Sequence, residues 1–164
     1  MLAETEFKKW DVMILDGLKS IDRYVARELA KFRGREIFLN GLTSISKDVA
    51  YELAQGQCEH FSLAGLTAID KDVAEELAKF EGSLTLSGLT SIDKGVAQEL
   101  AKFKGENLIL DGLASIDKDV ARELAKYEGK ALWLNGLRVT TIDKDVVKIL
   151  KSNPNILLPE KRRD

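Results

Sequence analysis

The chain has 164 residues, 45% of them hydrophobic, with 25 Lys and Arg against 27 Asp and Glu. That is enough apolar material for one continuous core, and a sequence pI near 5.6 gives no sign of the clustered positive face that nucleic-acid binding needs. No stretch approaches the ~18 apolar residues of a membrane span, and the single cysteine, Cys58, allows no internal disulfide.

Taken in chain order, residues 1–11 read as an N-terminal cap. Phe7 and Trp10 there resemble the second half of a helix from the unit that follows, and charges at Glu4, Glu6, Lys8 and Lys9 replace the apolar run of a secretory leader. With one cysteine and no such leader, a cytoplasmic setting is slightly favoured. From residue 12 to 152 a unit of 23 or 24 residues is copied six times. Its anchor is the dipeptide Gly-Leu, starting at Gly17, Gly41, Gly65, Gly88, Gly112 and Gly136, with spacings of 24, 24, 23, 24 and 24. Residues 153–164 supply a closing strand around Ile156 and Leu158 and a charged tail, whose Lys161-Arg162-Arg163 run is too small for an electrostatic patch. The whole of 1–164 reads as one domain.

Each position of the unit has a physical role. Four and two residues before each glycine stand apolar pairs: Met13/Leu15, Ile37/Leu39, Phe61/Leu63, Leu84/Leu86, Leu108/Leu110 and Leu132/Leu134. A period of two over so short a stretch predicts a strand with one buried face. An isoleucine follows, then Asp22, Ser46, Asp70, Asp93, Asp117 or Asp143, all residues whose side-chain oxygen caps the orphan amides of a first helical turn. In the sixth copy the cap is displaced by two residues inserted within Arg138–Thr141. In the helix of the third copy Val73, Leu77 and Phe80 share one face, with Ala74 and Ala78 beside them, while Glu75, Glu76 and Lys79 fall on the other. Gly34, Gly82, Gly105 and Gly129 are expected to end the helices in a left-handed conformation. The second copy departs, with Gly56 in the Phe80 slot and Cys58 in the terminal glycine slot, so its helix is expected to be short or distorted beside a local gap in the core.

Strand, helix and strand at this spacing imply parallel strands joined by right-handed crossovers. Because no unit closes a core alone, the copies must stack. The expectation is an α/β right-handed solenoid, curved because helices are wider than strands, with the parallel sheet on the concave side. The pattern L-x-L-x-G-L-x-x-I-D-x-x-V-A-x-x-L-A, carried in the fifth copy by Leu108, Leu110, Leu113, Ile116, Asp117, Val120 and Leu124, resembles the leucine-rich-repeat family, nearest its bacterial and cysteine-containing variety. The family's turn ladder of Asn or Cys is replaced here by leucine at 18, 42, 66, 89, 113 and 137, the preceding glycine making the turn. The resemblance implies a horseshoe-shaped solenoid whose concave sheet binds partners, usually other proteins.

Little in the chain suggests catalysis or a cofactor. His60 is the only histidine, and Cys58 with His60 lacks the second ligand pair of a zinc site. They read as a drifted helix end with an exposed ring. The Asp-Lys-Asp runs lack the glycine and distal glutamate of a calcium loop, and capping accounts for their first residue. Neither a metal nor another cofactor is expected, and the chain does not read as an enzyme.

The positions that do not repeat point outward from the strands. Three residues before each glycine come Ile14, Phe38, Ser62, Thr85, Ile109 and Trp133, and one residue before come Asp16, Asn40, Ala64, Ser87, Asp111 and Asn135. The candidate partner-binding residues are Phe38, Ser62, Thr85, Ile109 and Trp133, with Asn40, Asp111, Asn135 and His60 beside them; exposed aromatics are common anchors of binding surfaces. The Asp and Asn side chains would otherwise bond turn amides locally. The expected function is a non-enzymatic protein- or peptide-binding module. The second reading is a structural or assembly unit, either a fragment of a longer array or a chain that self-associates into a homo-oligomer.

Overall fold

The computed structural model describes residues 11–159. Most of the expected cap and the Lys161–Arg163 run lie outside these residues. Among the described residues strand and helix alternate throughout: β1 (Val12–Ile14), α1 (Arg23–Ala30), β2 (Glu36–Phe38), α2 (Lys47–Ala54), β3 (His60–Ser62), α3 (Lys71–Leu77), β4 (Ser83–Thr85), α4 (Lys94–Leu100), β5 (Asn107–Ile109), α5 (Lys118–Leu124), β6 (Ala131–Trp133), α6 (Lys144–Leu150) and β7 (Ile156–Leu157). The strands form one parallel sheet in chain order. Its register pairs equivalent repeat positions, Ile37 with Phe61, Phe61 with Leu84 and Leu132 with Ile156. The repeat solenoid anticipated from the sequence is the architecture found. No described helix is long and apolar enough to cross a membrane.

The predicted inward positions form the core. From Ile37/Leu39 to Leu132/Leu134 the strand pairs are no more than 2% exposed, and the helix valines Val49, Val73, Val96, Val120 and Val146 no more than 3%. Each such leucine or valine contributes about 1.5–3 kcal/mol by leaving water. They join into one cluster running the length of the stack, so each copy shares its core with its neighbours. The caps also form as expected. Asp22, Asp70, Asp93 and Asp117 each accept a 2.8 Å hydrogen bond from the amide three residues on, and Ser46 accepts one at 3.3 Å. After the insertion Asp143 accepts from the Asp145 amide instead.

Three expectations are corrected. First, no described glycine has a positive φ. The glycines are required by proximity: a Cβ on Gly82 would lie 2.6 Å from the Glu59 carbonyl oxygen, and one on Gly105 would lie 2.3 Å from the Gly82 oxygen. The same holds at the Gly-Leu turns, where a Cβ on Gly65 would sit 2.0 Å from the Asn40 oxygen. Each turn is stacked against the carbonyls of the turn before it.

Second, α2 is not shortened. It has 8 residues, as many as α1 and one more than α3. The helix-end ring missing at Gly56 is replaced from the strand, where Phe61 stands in a column otherwise filled by Met, Ile or Leu. The Phe61 ring lies where a Cβ on Gly56 would be, 2.5 Å from it, and packs edge-on against Phe80 with centroids 5.1 Å apart. No space for a water remains among Leu53, Phe61, Leu77 and Phe80.

Third, Glu76 is not on the outer face. Glu52, Glu76, Glu99 and Glu123 are only 3–8% exposed and link adjacent helices. Glu76 takes Lys79, just past the end of its own helix, at 2.7 Å and Lys47 of the preceding helix at 3.9 Å; Glu99 takes Lys102 at 2.5 Å and Lys71 at 3.6 Å. Glu123 repeats the pattern with Lys126 and Lys94, and Glu52 takes Arg23 and Arg27 of α1. A buried carboxylate is tolerated only when paired in this way. The ladder ends at α6, where Ile149 holds the glutamate slot and Lys118 turns to Asp143 and Asp145.

Candidate binding face

With the helices on one side of the sheet, the other side carries the residues that alternate with the core pairs. Phe38 on β2, Thr85 on β4, Ile109 on β5 and Trp133 on β6 are half-buried and fall in one cross-strand row, set by the pairings Phe38–Ser62, Ser62–Thr85, Thr85–Ile109 and Ile109–Trp133. Ser62, in the same row, is 4% exposed and donates its hydroxyl to Asn40 Oδ1 at 2.7 Å. It lies beneath the face rather than on it. Ile14, at the start of the row, is 69% exposed.

The row is braced by a second one, two residues earlier on each strand. His60 Nε2 is 2.9 Å from Thr85 Oγ1, its Nδ1 is 3.7 Å from Glu36, and its ring meets Phe38 edge-on at 6.1 Å. Trp133 Nε1 donates to Asn107 Oδ1 at 3.3 Å, and Asn107 in turn donates to Ser83 Oγ at 3.1 Å. The Phe38 and Trp133 rings are therefore held in place by side chains of the second row. Glu36, Ser83 and Asn107 were missed from the sequence. Carrying the two-residue period one step further toward the N-terminus of each strand finds them.

His60 is half-buried in β3, not an exposed ring on a drifted helix end. Burial pulls its pKa below the ordinary histidine value, opposed by Glu36. Cys58 is 4% exposed, and burial pushes its thiol up to about 12. Its Sγ donates to the His60 carbonyl at 3.5 Å. A thiol so placed stays protonated at neutral pH and is a poor nucleophile or ligand. Among the described residues no three His, Cys, Asp or Glu side chains gather as a metal set.

No protein-family model matches this chain, and no curated protein is significantly similar to it.

The Asp and Asn row does not bond its own turns. Asp16 Oδ1 accepts from the Asn40 amide at 2.8 Å, Asn40 Oδ1 from the Ala64 amide at 3.0 Å, and Asp111 Oδ1 from the Asn135 amide at 2.9 Å. Each bond crosses to the next copy, so these side chains fix the spacing of the turns. Asn40 is spent in this way, whereas Asn135 is exposed and donates its Nδ2 to Asp111 Oδ2 at 3.2 Å.

At the opposite rim lies a cleft. The 23-residue copy lacks one residue between Gly82 and Ser83, in the column occupied by Arg35, Glu59, Glu106 and Lys130. A cavity of about 680 Å³ opens there between Glu59, Glu81 and Glu106, floored by Gly82 and Ser83. It meets a groove of about 300 Å³ that runs past His60 and Asn107 to Ile109. The cleft thus opens onto the aromatic row.

Proposed function

We propose that the chain is a protein- or peptide-binding module that uses the helix-free face of its sheet. One observation carries this reading: Phe38, Ile109 and Trp133 stand half-exposed in one row, orientated by His60, Asn107 and Ser83, on a face that no described element covers. A solvated face with only structural duties would not be expected to hold two large rings by hydrogen bonds and edge contacts. The resemblance of the repeats to the leucine-rich-repeat family supports the same use.

Size limits the partner. Seven strands spaced about 4.8 Å apart and roughly five residues long present on the order of 500 Å², below the roughly 800 Å² per partner of a standard interface. An extended peptide, or a protein that also touches the neighbouring loops, suits such a face. The test is affinity capture from native lysate with wild-type protein and a Phe38→Ser/Trp133→Ser variant as baits. Both positions are half-exposed, so the variant should keep its far-UV circular dichroism and lose the partners that the wild type retains. Equal capture by both baits refutes the assignment.

A further inference from the structure

The cleft beside Gly82 is a fixed feature of the fold. The rim column is one residue short in the fourth copy, and Gly82 cannot fill the space, since a Cβ there would lie 2.6 Å from the Glu59 carbonyl oxygen. Glu59, Glu81 and Glu106 line the cleft, all exposed, and no described lysine or arginine does. Among the described residues no ion pair reaches Glu81. Glu59 meets Arg35 at 3.9 Å, and Glu106 is paired with Lys130. The groove that continues from the cleft adds Glu36 and one cation, Arg35, which Glu36 holds at 3.0 Å. Cleft and groove together are thus lined by four carboxylates and one cation, and they lead to Ile109, the cross-strand neighbour of Trp133. From Glu106 to Ile109 is three residues of strand, about 10 Å.

We infer that the helix-free face takes an extended peptide carrying a lysine or arginine near an apolar residue. The cation enters the cleft, and the apolar side chain lies on Ile109 and Trp133. This rests on the face being a peptide-binding surface and adds which peptides it selects. The charge of the lining sets the sign of the occupant. Its depth suits a long side chain, whose methylene stem covers apolar wall while the charged tip reaches the carboxylates. Side chains on one face of an extended peptide stand about 7 Å apart. With the reach of its own stem, a cation about two to four positions from the apolar residue spans the distance from cleft to row. A metal ion does not suit the cleft, because its carboxylates are not gathered as a ligand set. An acidic peptide would meet like charge, and an uncharged one would desolvate the carboxylates without a counter-charge.

A random peptide library displayed on phage and selected against the full chain supplies the probes. Enriched sequences should carry Lys or Arg about two to four positions from Trp, Phe, Leu or Ile. The strongest binder, made synthetically, is then followed by fluorescence anisotropy. Glu59→Gln/Glu81→Gln/Glu106→Gln should weaken its binding roughly tenfold or more, and Glu75→Gln on α3, across the sheet from the face, should not change it. The same peptide with its basic residue replaced by glutamine should lose as much on the wild-type protein, an arm that needs no variant to fold. Added salt should weaken wild-type binding and leave the triple variant nearly unaffected. Acidic or uncharged binders overturn the inference, as does an affinity lost in Phe38→Ser/Trp133→Ser but kept in the triple variant; both leave the face a binding surface. A selection that enriches nothing, or binders indifferent to both sets of substitutions, removes the binding reading and the inference with it.

Discussion

Gly17 and Gly65 occupy the same position of the repeat, and alanine at the two should have opposite effects. At Gly65 the added Cβ would lie 2.0 Å from the Asn40 carbonyl oxygen and 2.6 Å from that of Leu42. Both obstacles are main chain, so no rotamer change relieves them. To reach ordinary contact at 3.4 Å the second and third turns must part by about 1.4 Å. Two bonds span that joint, from the Leu39 amide to the Ser62 oxygen at 2.8 Å and from the Ala64 amide to Asn40 Oδ1 at 3.0 Å. A retreat of that size takes both beyond hydrogen-bond range, at about 1 kcal/mol each. Overpacking adds about 1–3 kcal/mol, so Gly65→Ala should cost about 3–5 kcal/mol. Gly17 lacks both the obstacle and a positive φ. Gly17→Ala should therefore stabilise by about 0.4–1 kcal/mol, through the entropy of the unfolded chain. Urea unfolding followed by circular dichroism measures both, and in thermal melts Gly65→Ala should lower the midpoint by on the order of 10 °C. If Gly65→Ala lies within about 1 kcal/mol of wild type, or if both variants lose stability equally, stacking against the preceding turn is not the reason for the glycine.

Acid should weaken the helix layer in a defined window. Hydrogen bonds from Arg27 and Arg23 hold Glu52 down at about 2, and Lys102 lowers Glu99 in the same direction. Folded values below the ordinary 4.5 mean that these pairs stabilise the protein above that pH, and the benefit is lost as pH falls from 4.5 toward 2. Denaturant midpoints measured across this range should drop, and less steeply in Glu52→Gln; a flat wild-type profile contradicts the ladder. The exchange of aromatic positions in the second copy gives a coupled pair. Phe61→Leu should cost about 1–3 kcal/mol as a cavity opens beside Phe80. Gly56→Phe alone should also destabilise by overpacking, but in the Phe61→Leu background it should recover stability, and strict additivity in the double-mutant cycle refutes the compensation.

The order and type of the elements were legible because each repeat position is repeated chemistry: capping oxygens, alternating leucines and a helical stripe. What stayed hidden lies between copies. Glu76 reads as a surface residue within its own helix because its burial comes from the preceding helix α2, which ends 22 residues earlier, and from Lys47 at its start. The glycines suggested special backbone angles, since a close approach by another copy's carbonyl leaves no trace in the local sequence. Phe61 looked like one more apolar strand residue, and only its distance to Gly56 shows that it fills the place of a lost ring. On the helix-free face the aromatic row was visible from its lack of repetition. The burial of Ser62 and the bracing by Asn107 were not, because both depend on which side chains meet across strands.

The lysine–glutamate ladder points one way along the chain, each helix reaching forward to the next. Every internal copy therefore presents the same face behind it and the same face ahead. Excision of the 24 residues from Leu89 to Gly112 would remove α4 and β5 and bring Lys71 of α3 opposite Glu123 of α5, restoring the link with new partners. A cut of a few residues within a copy would instead shift the glycines, the caps and the lysines out of phase together. For a chain built in this manner the heritable unit of change is the whole module, and its length can drift by duplication and loss while its cross-section stays fixed.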